Sequence, residues 1–378
     1  MESLCVGGRE KVVIDICNNL DFKKFDVTIL VLSNDNNQLL TEIEPKVNIR
    51  FLPFKRSGIG GYKSIIFWLI GFPKLIKMLN EIKPNIVHTH IYYQHLFFVA
   101  LGIRFLRPKG LHFRTVHTSG LFYRNKTWIN RFRLKVEKYA TAINATYLIS
   151  ISKAVHQNNL THFQNLASDI RYIPNGIDLG SFNKNNFIQT NKKDFGYLPT
   201  DTVVTYIARF DIGKNHEMLI EAWAFVVKEI PNARLCLAGD GVLMPLIKEK
   251  CIMANLENSV RFLGTIKDVQ SLLAISDIGV FPSGFEGFPL VLIEKMAMGL
   301  PVITSDIDIF KELIIDGFNG IISSVDDSRK FSEAIIKLLN TQSLRLSISN
   351  EAVKTAKQFS INNVIRSHQE YYEEKFGL

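Results

Sequence analysis

The chain has 378 residues, of which 47% are hydrophobic and 21% are charged; this composition excludes a disordered protein, and the length is too great for a single ordinary core. The formal net charge is +9 and is unevenly distributed, since residues 1–180 contain 24 Lys and Arg against 12 Asp and Glu while residues 181–378 contain 21 against 24. The first half is therefore expected to face an anionic partner.

The four cysteines, Cys5, Cys17, Cys236 and Cys251, have no CxxC or metal-ligand spacing. We expect all four to be reduced and buried, which indicates a cytoplasmic protein. The longest apolar run, residues 65–72, is far shorter than the roughly 20 residues that a membrane-spanning helix needs. Any contact with a membrane is therefore expected to be peripheral, on its inner face.

In the first half, strand-like runs alternate with helical apolar patterns. The predicted strands are residues 25–32, 48–54, 86–90, 111–117 and 147–152. The predicted helices between them are residues 9–19, 63–80, 92–106 and 126–145. Near-continuous apolar strands separated by helices are typical of a parallel sheet that is covered on both faces.

The second half repeats this alternation. Its predicted strands are residues 203–208, 234–238, 260–263, 278–281 and 302–305. A polar link of weak pattern, residues 178–199, separates the two halves. We therefore predict an α/β protein of two doubly wound, Rossmann-like domains, residues 1–180 and 181–361, with a cleft between them.

The N-terminal domain is irregular at its start. Gly7 and Gly8 enter a helix by residue 9, whereas a doubly wound domain has a strand before such a glycine turn. Residues 1–6 are too few, and too polar at their start, to replace a central strand of about five or six residues. The first strand of this domain therefore looks missing.

The most informative segment is residues 275–302, where a strand runs into a Gly/Pro loop holding Glu286 and then into a helix holding Glu294. In an open α/β sheet, ligands bind at the carboxyl ends of the strands. Two acids that are held there by glycines, and are not paired with a nearby Lys or Arg in sequence, suit hydroxyl-rich ligands, because carboxylates accept hydrogen bonds from sugar and ribose hydroxyls. Chance spacing is the alternative, but the strand–loop–helix context favours a binding function.

A second candidate site follows the strand that ends at Ala208. Arg209 ends this strand region and Lys214 precedes the next helix, so both cations are expected near a helix N-terminus, as a diphosphate requires. A solvated surface pair is the alternative. Gly239, after the strand 234–238, either lets a backbone approach a ligand or simply makes a turn, and the sequence leaves both readings open.

Five of the nine histidines lie between residues 88 and 117. His88 and His90 alternate along one predicted strand and should share a face, while His117 ends the next strand. We interpret His88 as a packing histidine and His117 as a candidate for polar contact with a substrate in the cleft. Because these strands contain no Cys or carboxylate, no metal site is predicted there.

Two segments of the first half combine helical apolar spacing with basic residues. Residues 62–79 carry three lysines on the polar side, and residues 124–138 contain six Lys and Arg together with Trp128 and Phe132. Core-covering helices explain the apolar faces but not the basic excess, which favours an anionic membrane surface or a lipid-phosphate acceptor. Nucleic acid is the rival partner for a basic face, but the sequence has no nucleic-acid-binding motif.

An ordered set of motifs resembles the retaining glycosyltransferases of family 4 (group 1), which have the GT-B fold. The matching motifs of the first half are GGREKVVIDI, IVHTH, RTVHT, LISISKAV and YIPNGID. Those of the second half are YIARFDIGKNHEMLIEA, LAGDG, VRFLG and EGFPLVLIEKMAMGLPVI. The last motif contains the family's two glutamates, with seven residues between them, and the matches run almost from end to end.

The resemblance implies that the second domain binds a nucleotide-diphosphate sugar. Arg209 and Lys214 would hold the diphosphate, and Glu294 the ribose hydroxyls. Glu286 and the backbone of Gly287 and Phe288 would contact the sugar. The Ile266 backbone would contact the base, and Gly239 is a further donor contact of the second domain. Gly8 and His117 would reach the donor from the first domain. His117 and Glu286 are the candidate catalytic residues, and His90 would lie near the acceptor.

The resemblance further implies that no cofactor or divalent metal is needed, because cations and a helix N-terminus stabilise the leaving diphosphate. The final helix, residues 362–378, would pack back on the first domain. Lys295 departs from the family, which usually has a small residue after the second glutamate.

The expected function is transfer of a sugar from a nucleotide-diphosphate sugar to a lipid-linked or polysaccharide acceptor. One alternative is a non-catalytic relative that binds a sugar nucleotide or a partner subunit. Another is a GT-B epimerase or phosphorylase, which the basic first domain disfavours. The sequence does not specify the nucleotide base, the sugar or the acceptor.

Overall fold

The computed structural model describes residues 1–34, 37–52, 62–91, 93–106, 108–117 and 127–377, without the side chains of residues 62–68, 93 and 94. The chain divides into two compact units. Unit 1 comprises Met1–Gly176 and Ile361–Leu378, and unit 2 comprises Ile177–Ser360. Each unit is described by itself.

Unit 1 contains parallel strands and the helices that connect them. Its strands are β1 (Thr28–Val31), β2 (Asn48–Phe51), β3 (Ile86–Thr89), β4 (Leu111–Val116), β5 (Tyr147–Ser150) and β6 (Asp169–Tyr172). Its helices are α1 (Gly8–Asn19), α2 (Tyr62–Ile82), α3 (Tyr93–Arg104), α4 (Trp128–Ile143), α5 (Lys153–Phe163) and, from the end of the chain, α13 (Ile361–Phe376).

The strands of unit 1 form two separate sheets. β1 and β2 pair with each other, and the second sheet has the order β3-β4-β5-β6. Both sheets are parallel throughout. An apolar cluster that includes Leu75, Leu79, Leu96 and Ile103 packs α2 and α3 together.

Helix α13 belongs to unit 1 although it ends the chain. Its buried Tyr371 ring lies edge-on to the Phe113 ring of β4, with 5.1 Å between the ring centroids. The guanidinium of Arg171 on β6 lies 2.7 Å from the Glu374 carboxylate. The last helix therefore covers the sheet that the first part of the chain builds.

Unit 2 has a single six-stranded sheet. Its strands are β7 (Thr202–Ile207), β8 (Ala233–Ala238), β9 (Val260–Gly264), β10 (Ile278–Phe281), β11 (Val302–Thr304) and β12 (Ile321–Ile322). Its helices are α6 (His216–Glu229), α7 (Met244–Met253), α8 (Val269–Ile275), α9 (Leu290–Ala297), α10 (Asp308–Leu313), α11 (Ser328–Asn340) and α12 (Gln342–Ala356).

The strand order in unit 2 is β12-β11-β10-β7-β8-β9, and every pairing is parallel. All four residues of β10 and all three of β11 are buried, as expected for strands that helices cover on both faces. Because the order reverses between β7 and β10, the loops after these two neighbouring strands leave the same edge of the sheet.

The ten predicted strands are all present, within a few residues of their predicted ends. Two further strands, β6 and β12, were missed; β6 has the polar sequence DIRY and β12 has only two residues. The helix predicted from residue 126 begins at Trp128, because the Thr127 side chain accepts a hydrogen bond from the Asn130 N–H and caps it. Residues 53–54, 92 and 124–126 of the predicted elements lie outside the described residues.

The cysteine prediction is only half right. All four thiols are free, and Cys236 and Cys251 are buried, but Cys5 and Cys17 are only partly buried. Cys5 precedes the first helix, and Cys17 lines a cavity of unit 1. Within the described ranges, no helix has both the length and the apolar character that crossing a bilayer requires.

Candidate functional site

Two loops at the carboxyl ends of β7 and β10 are bonded to each other. The buried Tyr206 hydroxyl donates to the Lys214 carbonyl at 2.8 Å and lies 3.1 Å from the Ser283 hydroxyl. The Asn215 amide donates to the Pro282 carbonyl at 2.9 Å. These bonds fix the loop after β7, residues 208–215, against the loop after β10.

Backbone and side-chain bonds extend this connection. The Gly284 N–H donates to the Gly213 carbonyl at 3.0 Å, and the buried Ser305 hydroxyl donates to the Ser283 carbonyl at 2.5 Å. Ser305 follows β11, so the ends of three neighbouring strands contribute to one arrangement. Loops held at both ends in this way can keep charged side chains in a defined geometry.

An ion pair joins the two loops. The Lys214 ammonium lies 2.5 Å from the Glu286 carboxylate, and the two side chains are only 20% and 16% exposed. The basic partner of Glu286 is not a neighbour in sequence: it is 72 residues away and reaches the carboxylate only through the fold. The pair offers a cation for phosphate oxygens and a carboxylate for hydroxyl groups at one place.

Arg209 lies on the same loop but in a different environment. Its side chain is 76% exposed, and its guanidinium lies 3.0 Å from the Asp211 carboxylate. A ligand can reach this guanidinium from solvent, and the pairing with Asp211 is of the weak surface kind. The structure thus gives Lys214 a fixed, shielded position and Arg209 an exposed one.

Glu294 lies one turn into α9, as predicted, and is partly buried. Gly287 and Phe288 precede this helix, and the buried Phe288 ring packs edge-on to Phe359 with 5.7 Å between centroids. The backbone at residues 287–288 is thereby held beside the start of α9, where the helix dipole favours a polar or anionic ligand.

Gly239 has a structural reason for being glycine. Its φ is +134°, and a Cβ at this position would lie 2.0 Å from the Ala208 carbonyl oxygen. Its N–H donates to the Gly264 carbonyl at 2.7 Å. The loop after β8 therefore packs directly against the loop that carries Arg209, which only a residue without a side chain allows.

Ile266, predicted to touch a base through its backbone, follows β9. Its side chain is partly buried and packs against a cluster that includes Tyr197, Val203 and Leu272. This packing positions the backbone after β9, and the contact with a base remains a prediction.

In unit 1, the histidines of β3 and β4 form a hydrogen-bonded group. His90 Nδ1 lies 3.0 Å from His117 Nε2. His88 Nδ1 lies 2.6 Å from the Tyr372 hydroxyl, and His88 Nε2 lies 2.7 Å from the Thr115 hydroxyl. Both ring nitrogens of His88 have partners, so its interpretation as a packing histidine is confirmed.

His88 and His90 share a face of β3, as predicted, with ring centroids 4.1 Å apart. His90 is only 4% exposed, so the structure makes it a hydrogen-bond partner of His117 and gives its ring little surface for an acceptor. Burial lowers the pKa of His117 to about 3, with Arg9 and Arg114 adding to the effect. Burial also lowers the pKa of His90, so the pair is neutral near pH 7.

Gly8 is the first residue of α1 and is exposed. Gly7 precedes it as the N-cap residue and provides no side-chain hydrogen bond to the helix end. The N–H groups of the first turn of α1 therefore lack a side-chain cap, which suits a polar or anionic ligand. The guanidinium of Arg9, the next residue of α1, lies 2.7 Å from the Glu10 carboxylate.

The sequence analysis missed His216, the first residue of α6. It is 3% exposed, its ring stacks on Phe210 at 4.1 Å, and neither ring nitrogen has a hydrogen-bond partner among the described residues. Burial, and next the Lys214 charge, lower its pKa to about 4. A neutral histidine thus lies directly behind the loop of Lys214; its position two residues after that lysine was the available signal.

Lys295 was noticed in the sequence, but its position was not foreseen. It is completely buried, donates from Nζ to the Thr205 carbonyl at 2.7 Å, and lies 4.3 Å from the centre of the Phe281 ring. A Cβ on Gly279 would lie 2.5 Å from the Lys295 Cδ. The signal was this glycine inside an apolar strand, which marks a close approach by another group.

The side chains that could bind a metal ion are scattered. In the part of the chain that the structure describes, no three His, Cys, Asp or Glu side chains are grouped as a metal ion requires.

Two protein-family models together match nearly the whole chain. The family model described as "Glycosyltransferase Family 4" matches residues 6–181, and the one described as "Glycosyl transferases group 1" matches residues 187–355. The chain belongs to the group 1 glycosyltransferases. This glycosyltransferase is therefore an enzyme that transfers sugars, as the sequence motifs indicated.

Two curated relatives cover most of this glycosyltransferase. The Escherichia coli UDP-Gal:alpha-D-GlcNAc-diphosphoundecaprenol alpha-1,3-galactosyltransferase is 26% identical over 94% of this chain and 91% of its own length. The Campylobacter jejuni N-acetylgalactosamine-N,N'-diacetylbacillosaminyl-diphospho-undecaprenol 4-alpha-N-acetylgalactosaminyltransferase is 27% identical over 98% of this chain and 97% of its own length.

Among solved structures, Anabaena HepE in complex with UDP and glucose is similar, with a TM-score of 0.81 and 20% identity over 99% of this chain and 98% of that one. The parallel sheets of both units and this similarity establish the predicted two-domain, Rossmann-like GT-B fold. At this level of identity the likeness concerns the fold alone.

Proposed function

We propose that this glycosyltransferase moves a sugar, with retention of its anomeric configuration, from a nucleotide-diphosphate sugar to a lipid-linked or polysaccharide acceptor at the cytoplasmic face of a membrane. The observation that carries the donor part is the shielded Lys214–Glu286 pair on two loops that are bonded to each other. The acceptor part is supported by two relatives whose names specify diphosphoundecaprenol-linked acceptors.

The donor would bind along the strand ends of unit 2. In this proposal Lys214 and Arg209 neutralise the diphosphate, Glu286 and the backbone of residues 287–288 bind the sugar, and Glu294 binds the ribose. Gly239 and Ile266 contribute backbone near the nucleotide. Gly8 and His117 are the donor contacts proposed for unit 1, with His90 holding the His117 ring.

The chemistry requires stabilisation of a leaving diphosphate, which gains negative charge as the bond to the sugar breaks. An ammonium already shielded from water stabilises such charge more strongly than an exposed one. When phosphate oxygens replace the carboxylate as partners of Lys214, Glu286 becomes available to accept hydrogen bonds from sugar hydroxyls. We propose that these groups replace a divalent metal, so that no cofactor is needed.

The membrane part of the proposal rests on α4. Trp128, Phe132 and Tyr139 are 77%, 60% and 52% exposed, and their spacing along the helix puts them on one side with the exposed Lys135. Arg131 is also exposed. Aromatic rings that insert at the headgroup level, flanked by cations that meet lipid phosphates, are typical of helices that lie on anionic membranes.

Donor transfer tests the enzyme function. The purified protein is given a panel of UDP- and GDP-sugars with a polyprenyl-diphosphate-linked acceptor, and product is measured by mass spectrometry. Glu286→Gln should lower kcat/KM by roughly 10²–10³-fold, whereas Glu217→Gln, in an exposed ion pair of the same unit, should leave it unchanged. Nucleotide binding without any transfer would instead support the non-catalytic alternative.

Vesicle binding tests the membrane part. The protein should sediment with anionic vesicles but not with neutral ones, and the double variant Trp128→Ser/Phe132→Ser should lose most of this binding. The matched control is Ile252→Ser/Met253→Ser, which changes two residues of unit 2 that are 60% and 76% exposed. Equal losses in both double variants would contradict a specific role for α4.

A further inference from the structure

Lys295 places a basic group inside the core of unit 2. It belongs to α9, is completely buried, and donates a hydrogen bond from Nζ to the Thr205 carbonyl at 2.7 Å. A charge in an apolar interior is unfavourable, and burial accordingly lowers the pKa of this lysine to about 7. A methionine of similar length would fill the same space without that cost. Packing alone therefore does not account for a lysine at this position.

The neighbouring strand leaves room for this side chain. Gly279 lies within β10, and a Cβ there would be 2.5 Å from the Lys295 Cδ and 3.3 Å from its Nζ. A glycine weakens the interior of a strand and marks the close approach of another group. The long side chain of α9 and the missing side chain of β10 therefore fit each other, which indicates that the lysine is a built feature of this sheet.

The Lys295 ammonium lies where the pairing of two strands ends. β7 continues to Ile207 and β10 to Phe281, but their register ends with Gly279 opposite Thr205. The ammonium bonds the carbonyl of this last paired residue of β7 and lies 4.3 Å from the centre of the Phe281 ring of β10. One cation thereby contacts both strands, through a carbonyl on one and an aromatic face on the other.

The two loops of the candidate site begin directly after these contacts. Tyr206 follows Thr205, and its hydroxyl donates to the Lys214 carbonyl at 2.8 Å. On the other strand, Pro282 follows Phe281, and its carbonyl accepts a hydrogen bond of 2.9 Å from the same loop. On each strand, one residue connects the contact of the ammonium with the bonds that hold the loop of Lys214. A change at the ammonium should therefore reach that loop.

The charges around Lys295 are few in kind. The titratable groups that act on it are the Cys236 thiol of β8 and the Glu294 carboxylate of its own helix, and both raise its pKa. The thiol is neutral near pH 7, because burial raises its pKa to about 11. The groups of β7 and β10 that touch the ammonium, the Thr205 carbonyl and the Phe281 ring, carry no charge. An anion at the strand ends would therefore act together with Glu294 in stabilising the ammonium.

We propose that Lys295 is a positioning residue of the donor site: its ammonium holds the ends of β7 and β10 together beneath the loops of Lys214 and Glu286, and its charge favours a bound diphosphate. Lys295 has this role only if unit 2 binds a nucleotide-diphosphate sugar, so the inference rests on the proposed function. By linkage, a ligand that binds about tenfold more tightly to the charged form raises the pKa of Lys295 by about one unit.

The dissociation constant of UDP or GDP, measured by calorimetry for the wild type and for Lys295→Met, tests this role. At pH 6, where the wild-type lysine is charged, the variant should bind about tenfold more weakly. At pH 8.5, where most of the wild-type lysine is neutral, the difference should be less than about twofold. The ratio of the two constants cancels the titration of the ligand, and a merely structural role would give a ratio that does not change with pH.

Lys192→Met is the matched control. Lys192 lies at the opposite ends of the same two strands, where its Nζ donates to the Asp201 carbonyl before β7 at 2.6 Å and to the Asp277 carboxylate before β10 at 2.8 Å. Its loss should lower the unfolding midpoint but change the dissociation constant by less than about twofold at either pH. Equal weakening of binding by Lys192→Met and Lys295→Met would assign both effects to a general loss of stability and overturn the inference.

Gly279→Ala keeps the inference testable if Lys295→Met does not fold. The new Cβ leaves the lysine in the chain but forces its ammonium to move, so the dissociation constant at pH 6 should rise by at least about threefold.

Two further outcomes would overturn the inference in distinguishable ways. Binding that is weakened by Lys214→Met but unchanged at pH 6 by both Lys295→Met and Gly279→Ala would remove the role of Lys295 and leave the proposed function intact. A wild type that binds neither UDP nor GDP would overturn the proposed function and this inference with it.

Discussion

The two units have the same building principle but differ in how completely their sheets are formed. Unit 2 has six parallel strands in one sheet, and the loops after β7, β8, β10 and β11 are bonded to one another at one edge. In the described residues of unit 1, six strands form two sheets, and a cavity is lined by residues of β1 and β3. In unit 2, one continuous sheet brings the charged loops together and hydrogen bonds fix them. In unit 1, where the strands form two sheets, helices hold the two parts together.

Because of this difference, the activity that we propose for unit 2 and the stability of unit 1 can be tested separately. The chemistry proposed for unit 2 depends on loop geometry that its own sheet supports. The stability of unit 1 depends on the apolar cluster that its helices share with two separate sheets. Variants in the loops of unit 2 should therefore change activity or the stability of that unit without altering the packing of unit 1.

The largest expected effect comes from Lys214→Met. If the ammonium stabilises the leaving diphosphate, its loss should lower kcat by roughly 10³-fold, and the partly buried Glu286 carboxylate would lose its cation. The matched control is Lys250→Met, which removes a partly exposed lysine from an ion pair in the same unit. Steady-state transfer and the unfolding midpoint are measured for both; similar activities in the two variants would refute the role of Lys214.

Gly239→Ala should lower the stability of the protein and not only its activity. The new Cβ would lie 2.0 Å from the Ala208 carbonyl, and the φ of +134° is unfavourable for alanine, so we expect a loss of about 3 kcal/mol or more in the free energy of unfolding. Gly317→Ala is the control, because its φ is +72° but nothing lies within 4 Å; it should cost only about 1–2 kcal/mol. Denaturant unfolding that ranks the two variants equally would contradict the close-packing account.

The last effect is smallest when expressed per pH unit, and it concerns Lys295. Burial lowers its pKa from 10.5 to about 7, so between these values the unfolded chain binds a proton that the folded chain has lost. The free energy of unfolding should therefore rise with pH from about 7 toward 10, by at most about 1.4 kcal/mol per pH unit. Lys295→Met removes this contribution.

The measurement for Lys295 is the difference between the wild type and Lys295→Met in urea unfolding at several pH values, which cancels the titration of other groups. The free energy of unfolding of the variant should exceed that of the wild type most below pH 7, because there the wild type must keep a charge in an apolar site. A difference that stays constant with pH would mean that the folded state accommodates the charged lysine without cost.

Much of the architecture was readable from local patterns. Ten strands and the helices between them were predicted, because buried parallel strands are short apolar runs bounded by turn residues. β6 was missed since its DIRY sequence has no such run, and its place is fixed by pairing with β5. The position of Glu294 one turn into α9 was also predicted, because its strand–loop–helix context is local.

The sequence by itself determined the fold class, the family and the residues that carry charge at the strand ends, since each depends on order and spacing along the chain. The tertiary structure alone decided which charges meet: Glu286 with Lys214, Arg209 with Asp211, and Lys295 with the Thr205 carbonyl. It also decided that β1 and β3 belong to separate sheets and line a common cavity. Pairings and voids of this kind depend on distances between segments far apart in sequence, and no local pattern encodes such distances.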